Sequence, residues 1–145
     1  MEQWQKEALE LRAAKPKHVL FLCVANSARS QLAEGIARSL APKDIKISSA
    51  GSNPSIVNPL AIEVLKEIGI NIKDQYSKNI NSIDTKSVEA VITLCAEEVC
   101  PLFLGKAIKL HWGLSDPALS GIEAFRKVRD ELKKRLTLLF NEEKK

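Results

Sequence analysis

The sequence predicts an α/β fold: a single layered domain with a four-stranded, mainly parallel sheet flanked by helices, and an extra helix at the N-terminus. Two observations carry this expectation. Short apolar runs alternate along the chain with longer segments of helical period. Pro, Asn and Gly also fall where those helical segments should begin or stop. At 145 residues, the chain has the length of one domain with one sizeable core.

The elements follow in order. Residues 2–14 read as an amphipathic helix, with Trp4, Ala8, Leu9 and Leu11 on the side expected to be buried. Lys15, Pro16 and Lys17 break it, and residues 1–16 are expected to form an extension ahead of a catalytic domain spanning 17–145. His18, Val19, Leu20, Phe21, Leu22 and Cys23 form a near-continuous apolar run, the pattern of a strand covered on both faces. Residues 31–40 place Leu32, Ile36, Ala37 and Leu40 at helical spacing, closed by Ala41 and Pro42. A second strand is expected over 45–51. A helix should then open at Asn58 and Pro59, run through Ile68 and stop at Gly69. Residues 87–94 and 106–112 read as the third and fourth strands. Residues 122–140 read as a closing amphipathic helix carrying Ala124, Phe125, Val128, Leu132, Leu136 and Leu139. The tail, 141–145, is expected to fray.

Composition narrows the function. Apolar residues make up 45% and charged residues 28%, which excludes disordered and fibrous classes. No apolar run approaches the roughly 20 residues of a membrane span. Met1 to Glu7 lack the basic and then apolar pattern of a secretory leader, so the cytoplasm is the expected compartment and no membrane partner is expected. The net charge of +4 is spread along the chain and aromatics are only 5%, which argues against a nucleic-acid partner.

Three cysteines, Cys23, Cys95 and Cys100, are too few for a disulfide framework in a reducing compartment. His18 and His111 fall at no metal-binding spacing from them, so no metal is expected. Ligands of such sheets bind beyond the carboxyl ends of the strands. Cys23 follows the first strand, Cys95 the third, and Asp116 the fourth, so the topology should gather all three at one edge.

The segment Cys23, Val24, Ala25, Asn26, Ser27, Ala28, Arg29, Ser30 joins a buried strand to a helix. Such a turn aims successive backbone N–H groups and a helix N-terminus at whatever it encloses, forming a concave anion site over residues 24–29. Arg29 adds a planar fork that matches two oxygens of a tetrahedral oxyanion. The same positive field favours a thiolate at Cys23, and Ser30 is in place to donate a hydrogen bond to its sulfur.

Cys23, Asn26, Arg29 and Ser30 stand in the pattern Cys, five residues, Arg, Ser, with Asn third after Cys. This resembles the signature loop of low-molecular-weight protein tyrosine phosphatases and their relatives, the arsenate reductases. Ser48, Ser49, Ala50 and Gly51 resemble the family's second strand, Ser77 and Lys78 a downstream pair, and Asp116 with Pro117 its acid loop. Ala25 stands where the family usually has Gly, so the backbone there must accept a Cβ. The likeness covers about residues 17 to 140 and implies the family's fold.

For function, the resemblance implies a Cys23 nucleophile, an Arg29 oxyanion clamp and Asp116 as general acid. The segment from Cys95 to Cys100 and the one from His111 to Ala118 resemble the arsenate-reductase branch. That branch implies a relay: Cys95 attacks the Cys23 adduct, then Cys100 attacks Cys95, leaving a disulfide for thioredoxin or another thiol reductant. The expected activity is therefore reduction of arsenate, with phosphate as a competing oxyanion. Two alternatives stay open: a phosphatase acting through a phosphocysteine, and a non-catalytic oxyanion-binding or redox-sensing module. Ala118 and Leu119 follow Asp116 and Pro117 where the phosphatases carry aromatics, which argues against an aryl phosphate substrate.

Overall fold

A computed structural model describes residues 1–96, 103 and 105–140; Cys100 and the 141–145 tail lie outside the described residues. The elements are α1 (Gln3–Ala14), β1 (His18–Cys23), α2 (Arg29–Leu40), β2 (Lys46–Gly51), α3 (Pro59–Lys66), β3 (Ala90–Cys95), β4 (Ile108–Leu114) and α4 (Ile122–Phe140). A single 3₁₀ turn, Ile80–Ser82, lies between α3 and β3. Nothing in the periodicity announces that turn; the Asn79 side chain sets it by accepting from the Asn81 amide.

The four strands form one sheet of order β2-β1-β3-β4. Every pairing is parallel. β1 lies centrally and is buried along its whole length, as its continuous apolar run requires. Alternation then divides the core in two. Val19, Phe21, Ala90, Ile92 and Leu94 join residues of all four helices in one apolar cluster. Leu20, Leu22, Ala50 and Val91 join Val88 and Phe103 in a second, which Ile80 and Ile83 help to cover.

Most boundaries fall within two residues of expectation, and the larger departures have local causes. β3 starts at Ala90 rather than 87, because Asp84 draws the chain into a turn by accepting from the amides of Lys86 and Ser87. α3 ends at Lys66, where the Ile68 and Ile70 amides both turn back to the Leu65 carbonyl and Gly69 takes a φ of +80°. Leu9 does not belong to the buried side of α1. The helix packs Ala8 and Leu11 into the core, and Leu9, about 100° further round than Ala8, is exposed.

Candidate active site

The carboxyl edge of the sheet is shaped by the loop between β1 and α2. Cys23 ends β1 and is 2% exposed. Its Sγ lies 2.9 Å from Oγ of Ser30, in the first turn of α2. No side chain caps α2: Ala28 occupies the cap position and the first turn carries no acid. The positive end of the helix is therefore left for a ligand in the loop.

Asn26 is the keystone of this loop. It adopts a left-handed φ of 48°, a conformation that its side chain holds with four hydrogen bonds. Its Nδ2 donates to Oγ of Ser30 at 2.6 Å and to Oγ of Ser49 at 3.0 Å. Its Oδ1 accepts from Nε2 of Gln31 at 3.1 Å and from the Lys78 amide at 2.9 Å. Ala25 is not left-handed, so the Cβ that replaces the family's usual glycine sits there without backbone strain.

The loop's outer surface is tied down as well. The carbonyls of Val24, Ala25 and Ser27 accept from the amides of Asn53, Ser55 and Asn58 at 2.9, 3.1 and 2.9 Å. Ser77 Oγ also donates to the Ala25 carbonyl, at 3.0 Å. These bonds turn the loop's acceptors outward and its remaining backbone polarity inward.

Several residues that build the site had no role assigned from the sequence: Gly51, Ser49 and Lys78 stood there only as parts of family-like segments, and Gln31 and Glu34 were not singled out. Gly51 pairs with Cys23, and a Cβ there would lie 2.3 Å from the Val24 carbonyl oxygen and 2.9 Å from that of Cys23. Only glycine fits that approach. Behind the loop, Ser49 donates to the buried Glu34 carboxylate, which also meets Arg38 at 2.6 Å and the Lys78 ammonium at 3.7 Å. Burial pushes Lys78 below the ordinary lysine range, with Glu34 opposing the shift. Gln31 and Glu34 stand on the face of α2 opposite its apolar residues, so the helical pattern carried no signal that this polar side is buried as well.

The opposite wall comes from β4. The Arg29 side chain is buried; its Nη1 donates to the Leu114 carbonyl at 2.8 Å and its Nη2 lies 3.9 Å from Oδ2 of Asp116. Asp116 is about half exposed and accepts from the Ala118 amide at 3.0 Å. Cys95 ends β3 beside this wall, is 1% exposed and pairs with Leu114. Leu22 pairs with Thr93, so Cys95 lies one residue beyond the level of Cys23 on the neighbouring strand. Adjacent strands run about 4.8 Å apart. The edge thus carries Cys23 with Ser30 and Asn26, and Arg29 with Asp116, while Cys95, one residue out of step with Cys23, ends the neighbouring strand with its side chain set toward the other face of the sheet. Among the described residues, no cluster of three His, Cys, Asp or Glu could hold a metal.

The family model for low molecular weight phosphotyrosine protein phosphatase matches residues 18–145. The chain belongs to this family. An arsenate reductase of Staphylococcus xylosus is 42% identical over 119 residues, which cover 81% of this chain and 91% of that protein. A solved arsenate reductase in a phosphate-binding state superposes with a TM-score of 0.79 at 38% identity, covering 86% of this chain and 96% of the other. A thioredoxin-dependent arsenate reductase of Corynebacterium glutamicum superposes at 0.69 with 31% identity, covering 93% of this chain and 67% of that one. α1 lies ahead of the matched family segment. No described helix is long and apolar enough to cross a membrane.

Proposed function

We propose that this phosphatase-family protein is an arsenate reductase, working in the cytoplasm on electrons from thioredoxin or a similar small dithiol protein. The observation that carries this reading is a second buried thiol, Cys95, at the same sheet edge as the Cys23 loop. A hydrolase has no use for it. The 42% identity to a curated arsenate reductase supports the same choice.

The chemistry starts with the Cys23 thiolate attacking arsenic(V). Arg29 and the amides of residues 24–28 hold the arsenate oxygens, and Asp116 gives the leaving oxygen its proton, releasing water. Ser30 donates to the sulfur and orients it. The Cys95 thiolate then attacks the Cys23 sulfur. The S–S bond forms as the S–As bond breaks, and the electron pair leaves on arsenic, now arsenite. Attack by Cys100 on Cys95 frees Cys23 and moves the disulfide to Cys95 and Cys100, where the external dithiol reduces it.

The deciding measurement is Cys95→Ser assayed for two activities. Multiple-turnover arsenate reduction is expected to fall to background, while hydrolysis of a small aryl phosphate stays near the parent rate. Reduction continuing at the parent rate in the variant would overturn the relay. A fast aryl phosphatase activity in the parent, with no arsenate turnover, would make this a phosphatase.

A further inference from the structure

α1 is the part of the chain that the family model does not cover, yet it reaches the wall that holds Arg29 and Asp116. That wall is β4, an edge strand with a neighbour on one side only. Its ladder with β3 is regular as far as Thr93 and then shifts, resuming only as the Cys95 and Leu114 pair. Among the described residues of β4, Trp112 alone is buried. The strand's far end, which presents the Leu114 carbonyl to Arg29, therefore depends on how the Trp112 ring is gripped.

Two residues of α1 contribute to that grip. The indole N–H of Trp112 donates to Oε1 of Glu7 at 3.2 Å. The Arg135 guanidinium, from α4, lies 5.5 Å from the Trp112 ring centre and 5.2 Å from that of Trp4. Arg135 is itself held at 2.6 Å by Glu131, and Lys134 approaches the Trp4 ring at 5.5 Å. The cation shared by two rings ties α1, α4 and β4 together at one point.

We propose that Glu7 and Trp4 are positioning residues of the site: through Trp112 they fix the end of β4 and so set where Leu114 and Asp116 meet Arg29. Neither residue touches substrate. This inference rests on the reading of Arg29 as the oxyanion clamp and Asp116 as the acid.

The test uses the full chain and inorganic phosphate as the probe, with arsenate kinetics and thermal unfolding measured alongside. Glu7→Ala, a change favourable to the helix itself, is expected to raise the phosphate Kd and the arsenate KM between about threefold and tenfold. kcat should change less. Trp4→Ala should act in the same direction, and Glu7→Gln, which keeps an acceptor for the indole, should restore most of the loss. In a Trp112→Phe background, which has no indole N–H, Glu7→Ala should have no further effect on the phosphate Kd. Lowered melting temperatures with an unchanged phosphate Kd would make α1 merely structural and overturn the proposal, as would effects of Glu7→Ala and Trp112→Phe that simply add. A parent chain that binds phosphate but reduces no arsenate would sink the functional reading and leave this test standing. A parent that binds no phosphate would sink both.

Discussion

The two walls of the site are built differently. On the β1 and α2 side, Cys23, Asn26, Arg29, Ser30, Gln31, Glu34 and Ser49 are all buried, and among the described residues every buried side-chain nitrogen and oxygen has a partner. On the β4 side, Asp116 is about half exposed, and Leu119, three residues on, is fully exposed. The loop that must recognise a tetrahedral anion is thus preorganised, its dipoles set before the ligand arrives. The segment proposed to supply the proton is the less enclosed of the two, as acid-bearing loops generally are. Stability and activity should therefore separate when the two walls are altered one at a time.

The largest effect is expected from Asp116→Asn. Loss of the acid should lower arsenate turnover by about 10²-fold or more. The melting temperature should hardly move, because a half-exposed surface substitution changes stability by within about 0.5 kcal/mol. A comparable loss of stability would mean that the two walls are one structural unit.

Gly51→Ala attacks the other wall. The added methyl meets backbone oxygens rather than a side chain that can rotate away, so the loop itself must shift. A destabilisation of about 1–3 kcal/mol by urea unfolding is expected, together with weaker phosphate binding. Asn26→Ala should behave alike for a separate reason, losing the left-handed residue and leaving its buried partners unsatisfied, again at about 1–3 kcal/mol. Either variant keeping the parent's phosphate affinity would show that the loop is not held by these contacts.

The smallest effect is a pH dependence remote from both walls. His18 opens β1 at the end opposite Cys23, about 16 Å away at the usual rise per residue. Its ring sits between the hydroxyls of Ser87 and Ser48, each at 2.8 Å. Burial, and then Lys46, push it below the ordinary histidine value, while Asp84 and Glu89 partly oppose them. As pH falls, the unfolded chain therefore takes up this proton before the folded one does. The stabilisation is complete above pH of about 6.5 and is lost as pH falls toward the depressed value. Unfolding free energy measured between about pH 7 and 5 should fall, and His18→Gln should flatten that slope without changing phosphate affinity at pH 7. An unchanged slope in the variant would assign it to another group.

How much of this was legible in the sequence varies with the range of the interaction. β1 and α4 were readable to the residue, since an unbroken apolar run and a sustained helical period are local patterns. The loop and its Cys23, Arg29 and Ser30 were legible because these residues themselves stand within eight consecutive positions. The Glu34, Ser49 and Lys78 support was not legible. Ser49 and Lys78 stand in segments that resemble the family's, but Glu34 lies 15 and 44 residues from them and nothing along the chain joins the three.

What the sequence determined on its own was the alternation of strands and helices and the chemistry carried by the β1 to α2 turn. Both follow from which neighbours a residue has along the chain. Only the tertiary structure decided that Gly51 must lack a side chain, that Asn26 is locked by a strand and a distant loop, and that a helix outside the family match grips Trp112. Each of those depends on backbone segments that sheet pairing and helix packing bring within a few ångströms, and no pattern of adjacent residues encodes such a distance.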